Sequence, residues 1–560
     1  MRCCEAHRGT RALALALPLT LLAGALCLPM PFWGDQALFT VYGRQLADGA
    51  VLYRDVFDLK QPGVFLFYTA AGLAFGFTEV GIRLFELAYW VAFSVFAVAA
   101  LRPYFTTRWA VSLVPVLTVV VYYLYAETLE LTQIEILVAF PLLVAWWLID
   151  GADAGTRAGL ARYAAAGLGA ATVVLFKHLY VLIVLAFLAY AWWRARRQGS
   201  RAVGWGGVGA FLVGFLVPLL AVAAYFAAYG QIERIWWAYV EYTAAARSLD
   251  SVPLSNLTGG GRRFVVGHAP LVVLATVGCL RVLRQRTRPQ LDLVVGMVSW
   301  GAIGGVALLV QFWGAWHWLL FTVPVGILAV VGLEALVAGA RSLRMRPRPV
   351  TLAIGGALAA VSLLAGQPSW QTQHWVLVPV GIGVVTAVAA EVLTGRPRPR
   401  RWAMRCLLTA LAVCVGLLAI APASKVRMLA AHDFALTAQD RTELQRSWNP
   451  AYEAADEDLQ VLRSGQVLPG PLYVLGDPVV LLRAERPQAL PLHGWGPEKF
   501  DARAWEEVRR GLRADPPPYV VVSNLSESLI RSRSPELLEV VDAKYEPAFD
   551  GASGTWYVRR

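Results

Sequence analysis

Apolar runs, each about the length that crosses a bilayer, recur along this chain from residue 12 to residue 422. About 20 apolar residues in a helix cover roughly 30 Å of hydrocarbon, so a chain built this way folds as an α-helical polytopic membrane protein. Thirteen spans are expected, near residues 12–32, 82–101, 109–126, 136–149, 160–176, 179–193, 204–228, 265–281, 291–311, 317–337, 350–365, 374–394 and 402–422. The net charge of +12 does not point to nucleic acid, because the arginines cluster in short loops between the runs, where they act as topology signals.

One apolar piece, Pro62 to Thr78, is short: as a helix it reaches only about 25 Å. If it does not cross, one side of the membrane receives Arg2, Arg8 and Arg11, then Arg102 and Arg108, then Arg194, Arg196, Arg197 and Arg201. That side also receives the clusters Arg281–Arg288, Arg341–Arg348 and Arg396–Arg401. The positive-inside rule makes that side the cytoplasm of a multi-pass cell-membrane protein, and Pro62 to Thr78 becomes a helix on the outer surface. Residues 1–422 then form the membrane domain, with residues 34–81 as its first extracytoplasmic loop. The basic, then apolar, N-terminal segment reads as an uncleaved first helix.

Hydropathy falls after Ala423. Residues 423–560 read as a small extracytoplasmic α/β domain, with helices over 440–465, 501–515 and 535–545 and strands over 471–477, 519–523 and 555–559. It contains no cysteine, phosphate-binding glycine loop, metal-ligand cluster or nucleophile elbow, and His493 reads as a surface or loop histidine. No motif in the chain calls for a cofactor or a metal.

The candidate chemistry lies on the outer side of this layout. The segment GDQALFTVYGRQLADGAVLYRDVFDLKQP places Asp35 directly after the first span, followed by Arg54, Asp55, Asp58 and Lys60. Glu127, Glu130 and Glu135 precede the span near 136–149. Lys177 and His178 interrupt two apolar runs at a turn, Arg262 and Arg263 close the loop 229–263, and His317 stands among Trp313, Trp316 and Trp318.

These residues resemble those of the GT-C-fold membrane glycosyltransferases, in the bacterial protein-mannosyltransferase-like and aminoarabinose-transferase-like branch. The likeness is carried by Gly34-Asp35-Gln36, the string LADGAVLYRD from Leu46 to Asp55, Lys60 with Pro62, and Gly81-Ile82-Arg83. The sequence has Lys-Gln-Pro where that branch usually has Lys-Pro-Pro, Asp58 two residues before the lysine, and Glu135 where many relatives carry Asp. The resemblance implies transfer of a sugar from a polyprenyl-phosphate donor, met in the lipid bilayer, to an acceptor hydroxyl at the outer face.

Such a transfer needs a base for the acceptor proton and fixed cations for the leaving phosphate. Asp35 is the expected base. Lys60, Arg83, Lys177, His178, Arg262, Arg263 and His317 are candidate donor-phosphate ligands, and Asp58 and Glu135 are candidates for orienting the acceptor. Each cation also suits a snorkelling anchor, and Glu86, one turn from Arg83, is placed to pair with it. Glu135, at the edge of an apolar run, is expected to orient the acceptor or to pair with Lys177 or Lys60. The competing class is a transporter or flippase of lipid-linked sugars, whose ionisable groups would lie nearer mid-membrane.

Overall fold

The computed structural model describes residues 2–198, 201–245, 254–285, 288–309, 315–342, 420–465 and 470–560. The spans expected near 350–365 and 374–394 lie outside these residues, as does that near 402–422 except for its last three. Among the described residues, seven single helices are long and apolar enough to cross a membrane. They are Glu79–Tyr104, Arg108–Tyr125, Arg157–Phe176, His178–Arg197, Gly204–Ala228, Pro289–Leu308 and Trp316–Ala338.

Two expected spans are interrupted, and proline accounts for each. The run near 265–281 is a bent pair, Thr258–Gly267 and Ala269–Gln285, turned by 82°. Pro270 has no N–H to continue the first helix into the second. The run near 136–149 is a short turn of helix, Ile134–Leu137, followed by Ala139–Asp150, which rises only about 18 Å. Pro141 cannot donate to the Leu137 carbonyl, and the Tyr89 hydroxyl donates there instead, at 2.6 Å.

Helix α1, Arg2–Ala25, ends seven residues before Phe32, so the first expected span is shorter than its apolar run. The polar segment that follows it is not a simple loop. It opens with α2, Gly34–Ala47, whose residues Gln36 to Gly43 are all buried. Gln36 accepts from the Trp33 N–H at 3.0 Å and donates to the Thr128 carbonyl at 2.9 Å, which fixes the start of α2. Helix α3, Pro62–Phe75, has Pro62 at its first position and ends at Gly76, whose φ of +94° suits only glycine. At 14 residues α3 rises about 21 Å, too little to cross. Helices α2 and α3 pack closely at Gly43, where a Cβ would stand 3.0 Å from the Thr69 nitrogen. Helix α4, Glu79–Leu101, is capped by the Thr78 hydroxyl, which accepts from the Gly81 N–H at 3.1 Å.

The C-terminal residues build a four-stranded sheet in the order β1-β2-β4-β3. The strands β1 (Leu472–Leu475) and β2 (Tyr519–Val522) are parallel, while β3 (Tyr545–Gly551) and β4 (Gly554–Arg559) form a hairpin whose second strand lies antiparallel to β2. Helix Ala502–Ala514 lies in the crossover between β1 and β2. The sequence reading misses β3, because its exposed stretch Glu546-Pro547-Ala548 lacks an apolar face.

This layer is fastened to the helical part at several points. The Phe57 N–H donates to the Pro491 carbonyl at 2.8 Å. The Tyr452 hydroxyl accepts from the Phe32 N–H and donates to Glu79, at 2.8 and 2.7 Å. The buried Lys425 ammonium donates to the carbonyls of Tyr123 and Ala126 at 2.7 and 2.9 Å.

Candidate active site

Asp35 stands in the first turn of α2, where the positive end of the helix dipole favours a carboxylate. Its Oδ2 faces the Lys60 ammonium at 3.1 Å, and its Oδ1 accepts from the Trp495 indole N–H at 2.9 Å. Neither partner in the ion pair is sealed from water, the Lys60 and Asp35 side chains being 31% and 26% exposed. Burial pushes the Asp35 carboxyl up, but Lys60, Lys499 and the Trp495 hydrogen bond together more than reverse this, and the group lies below the ordinary aspartate value. For Lys60, burial works against the charge, and Asp35 and Asp58 outweigh it, holding the ammonium protonated well above its usual range.

Lys60 is steered by its own loop. Asp58 Oδ1 accepts from the Lys60 backbone N–H at 3.0 Å, and the Tyr53 hydroxyl donates to the Lys60 carbonyl at 2.8 Å. Tyr53 holds a left-handed backbone, φ 67°, with its ring buried. A non-glycine residue pays for that conformation in strain, so surrounding contacts must hold it. Its hydroxyl also meets that of Tyr239 at 2.6 Å. His178 stacks on Tyr239 and meets Gln61, the residue before α3, at 2.6 Å.

A second charged group adjoins the first. The Lys177 ammonium donates to Glu135, and His317 Nε2 lies 3.5 Å from the same carboxylate oxygen. Burial lowers the Lys177 pKa by more than Glu135 restores it, and the group lies below the ordinary lysine value. Gly63 lets α3 approach the turn that carries Lys177, since a Cβ there would stand 2.7 Å from the Leu175 carbonyl oxygen. Glu135 acts electrostatically on Lys60, and both Lys60 and Asp35 act on Lys177, so the two pairs share one polar region.

The remaining candidates are placed differently. Arg83 is turned inward and 1% exposed, with its guanidinium 3.6 Å from Glu86 and hydrogen-bonded to Thr132. Arg263 pairs with Glu127, while Arg262 is exposed on the helix Leu254–Gly267. Among the described residues no three His, Cys, Asp or Glu side chains gather as a metal-holding group.

His493 and Trp495 are the site residues that sequence reasoning missed. His493 is buried rather than at the surface, with Nε2 3.4 Å from Asp58 Oδ2. Both lie more than 430 residues along the chain from the carboxylates they approach, and only the unusual run Leu-His-Gly-Trp-Gly marked the place.

No family model matches the sequence, and no curated protein matches it. The fold does have solved counterparts. ArnT from Cupriavidus metallidurans bound to undecaprenyl phosphate matches over 98% of this chain and 97% of its own, with 14% identity and a TM-score of 0.51. The apo state of the same protein matches over 98% of both chains, with 13% identity and a TM-score of 0.51. The chain has the GT-C fold. A looser counterpart is the archaeal oligosaccharyltransferase AglB from Archaeoglobus fulgidus, in complex with an inhibitory peptide and a dolichol-phosphate. It matches at 15% identity and a TM-score of 0.45, over 99% of this chain and 74% of its own. The match covers nearly the whole chain, the helical part and the sheet-bearing layer together.

Proposed function

We propose that this protein is an inverting membrane glycosyltransferase, which moves a sugar from a polyprenyl-phosphate donor to an acceptor hydroxyl at the outer face of the membrane. The observation that carries the reading is the Asp35 carboxylate at a helix N-terminus, 3.1 Å from Lys60, with the Lys177–Glu135 pair in the same polar region. The GT-C fold, met in a protein bound to undecaprenyl phosphate, supports the donor class.

In a single displacement the acceptor oxygen bonds to the anomeric carbon as the bond from that carbon to the phosphate oxygen breaks. The hydroxyl proton passes to Asp35, and the electron pair leaves with the polyprenyl phosphate. Asp35 is a weak base at rest, because Lys60, with Lys499 and the Trp495 indole, depresses its pKa. As negative charge grows on the departing phosphate, the Lys60 ammonium is drawn to it. The carboxylate then loses its stabilising partner and becomes more basic while the acceptor hydroxyl becomes more acidic. Lys60 and Lys177 are the cations offered to phosphate, and the His178 and His317 imidazoles beside them are further phosphate ligands; Arg262 and Arg263 stay outside this group. Asp58 acts here through the Lys60 loop, and Glu135 by holding Lys177.

The arginines support the outward orientation. Helix His178–Arg197 begins beside Lys177 and carries Arg194, Arg196 and Arg197 at its far end, opposite the site.

The test is transfer of radiolabelled sugar from a polyprenyl-phosphate donor by the purified chain in vesicles. No transfer from any such donor, with lipid-linked sugar flipping retained, would overturn the reading in favour of a transporter. The pH profile of transfer adds a second check. Asp35 must be ionised, and its pKa is depressed, so the acid limb should fall below the 3.8 of an ordinary aspartate. Lys177 must be charged, and its pKa is lowered, so rates should fall on the alkaline side below pH 10.5. Lys177→Arg is expected to remove that alkaline limb, arginine remaining charged throughout.

A further inference from the structure

We infer that Trp495, carried by the C-terminal layer, is a positioning residue for Asp35, and that the Leu492–Gly496 turn completes the active site. The inference rests on the reading of Asp35 as the base.

The indole N–H occupies Oδ1 at 2.9 Å, while Lys60 faces Oδ2 at 3.1 Å. Two donors on separate oxygens fix the plane of the carboxylate as well as its place, and that geometry decides how well an acceptor proton can be received. The indole reaches Asp35 only because residue 34 is glycine: a Cβ there would stand 2.0 Å from the Trp495 ring. The absent side chain at Gly34 is therefore part of the seat for Trp495.

The turn that carries Trp495 is itself tied to the Lys60 loop. The Trp495 backbone N–H donates to His493 Nδ1 at 3.2 Å, which leaves the imidazole proton on Nε2. That nitrogen faces Asp58 Oδ2 at 3.4 Å, a long contact, and the buried oxygen has no hydrogen-bond partner within normal geometry. Asp58 Oδ1 in turn accepts from the Lys60 N–H at 3.0 Å. A circuit results, from Trp495 through His493, Asp58, Lys60 and Asp35 back to Trp495. It joins residues 35–60 to residues 493–495. Phe57 pairs with the same strap through Pro491 and Leu492, which keeps the circuit in register.

The hydrogen bond to the ionised carboxylate is of the kind worth about ten- to a hundredfold in an equilibrium. Trp495→Phe keeps most of the ring and removes the donor; Gly34→Ala keeps the donor and displaces the ring. Both are expected to lower kcat for transfer about ten- to a hundredfold, with the donor KM within about threefold of the starting value. Removing a donor to the charged form raises the Asp35 pKa, so the acid limb should move to higher pH in Trp495→Phe. The other charges acting on Asp35 are Lys60, Asp58 and Lys499, and they are unchanged in that variant.

A readout independent of turnover is the 19F spectrum of the full chain labelled with 5-fluorotryptophan. The Trp495 resonance is the one lost in Trp495→Phe. It should titrate with Asp35 in the parent chain and cease to do so in Asp35→Asn. A Trp495 resonance indifferent to Asp35→Asn would overturn the inference, as would a Trp495→Phe enzyme whose acid limb stays in place, whether active or merely less stable. Full transfer by Asp35→Asn, with Trp495 still following Asp35 in the parent, would overturn it through the base assignment rather than through the contact.

Discussion

Asp35→Asn is expected to lower sugar transfer by about 10²–10⁴-fold, the usual contribution of a positioned general base. The substitution is nearly isosteric. The asparagine carbonyl can still accept from the Trp495 indole, which donates to Oδ1 at 2.9 Å in the parent, so the turn from the C-terminal layer should stay seated. What disappears is the ability to take a proton and the charge that faces Lys60 at 3.1 Å. The donor KM should change little or improve, since the ammonium is released toward phosphate, and the loss should fall on kcat. Asp35→Glu keeps the charge but moves it by about one carbon–carbon bond. Misplacement on the scale of 1 Å costs about 10²-fold, so this variant should be poor rather than dead. Wild-type rates in Asp35→Asn would remove the residue as base.

Arg83→Met and Glu86→Ala are each expected to destabilise the protein by about 3–5 kcal/mol, read as a lowered thermal midpoint in detergent or an aggregated elution profile. Removing one member of a buried pair strands the other without water, and that penalty exceeds the net worth of the pair. Glu86 is fully buried, and its two carboxylate oxygens accept from the Thr132 N–H at 3.0 Å, the Thr132 hydroxyl at 2.8 Å and the Tyr122 hydroxyl at 2.5 Å. Thr132 needs that hold, because it sits at φ 58°, a left-handed backbone that a β-branched residue resists. Gln36, which fixes the start of α2, also faces the Arg83 guanidinium at 3.4 Å. Loss of Arg83 should therefore loosen the helix end that presents Asp35. An Arg83 that served mainly as a phosphate ligand would behave differently: Arg83→Met would be as stable as the parent and defective in donor KM.

The membrane architecture was legible because lipid makes a strong demand on sequence. A run long enough to cross must be apolar almost throughout, so spans announce themselves, and the shortness of Pro62 to Thr78 was already telling. The interrupted spans were harder. Pro141 and Pro270 lie inside runs that are apolar on both sides, and composition alone does not say where a helix turns by 82°. The burial of α2 was hidden by Asp35, Arg44, Gln45 and Asp48, which make a largely enclosed helix look like a loop.

Within the site, Asp35 and Lys60 were visible because both lie in one short stretch after the first helix. Glu135 and Lys177 stood out as charges at the edges of apolar runs. Trp495 and His493 had no such signature. Their meaning depends on a contact between distant parts of the chain, and neither periodicity nor local propensity encodes it. Asp58 accepts from the Lys60 N–H of its own loop, and His493, from the C-terminal layer, approaches its other oxygen at 3.4 Å.

The pairing of Phe57 with Pro491 and Leu492 has a consequence for the life of the protein in the cell. The strap is made more than 450 residues after Asp35, which lies just beyond the first helix. A nascent or prematurely ended chain would carry its acid, its lysine and its helices, yet lack the indole that orients the acid. Under the positioning role inferred for Trp495, competence arrives only once residue 495 has been made, so copies arrested earlier would hold the acid without the side chain that orients it.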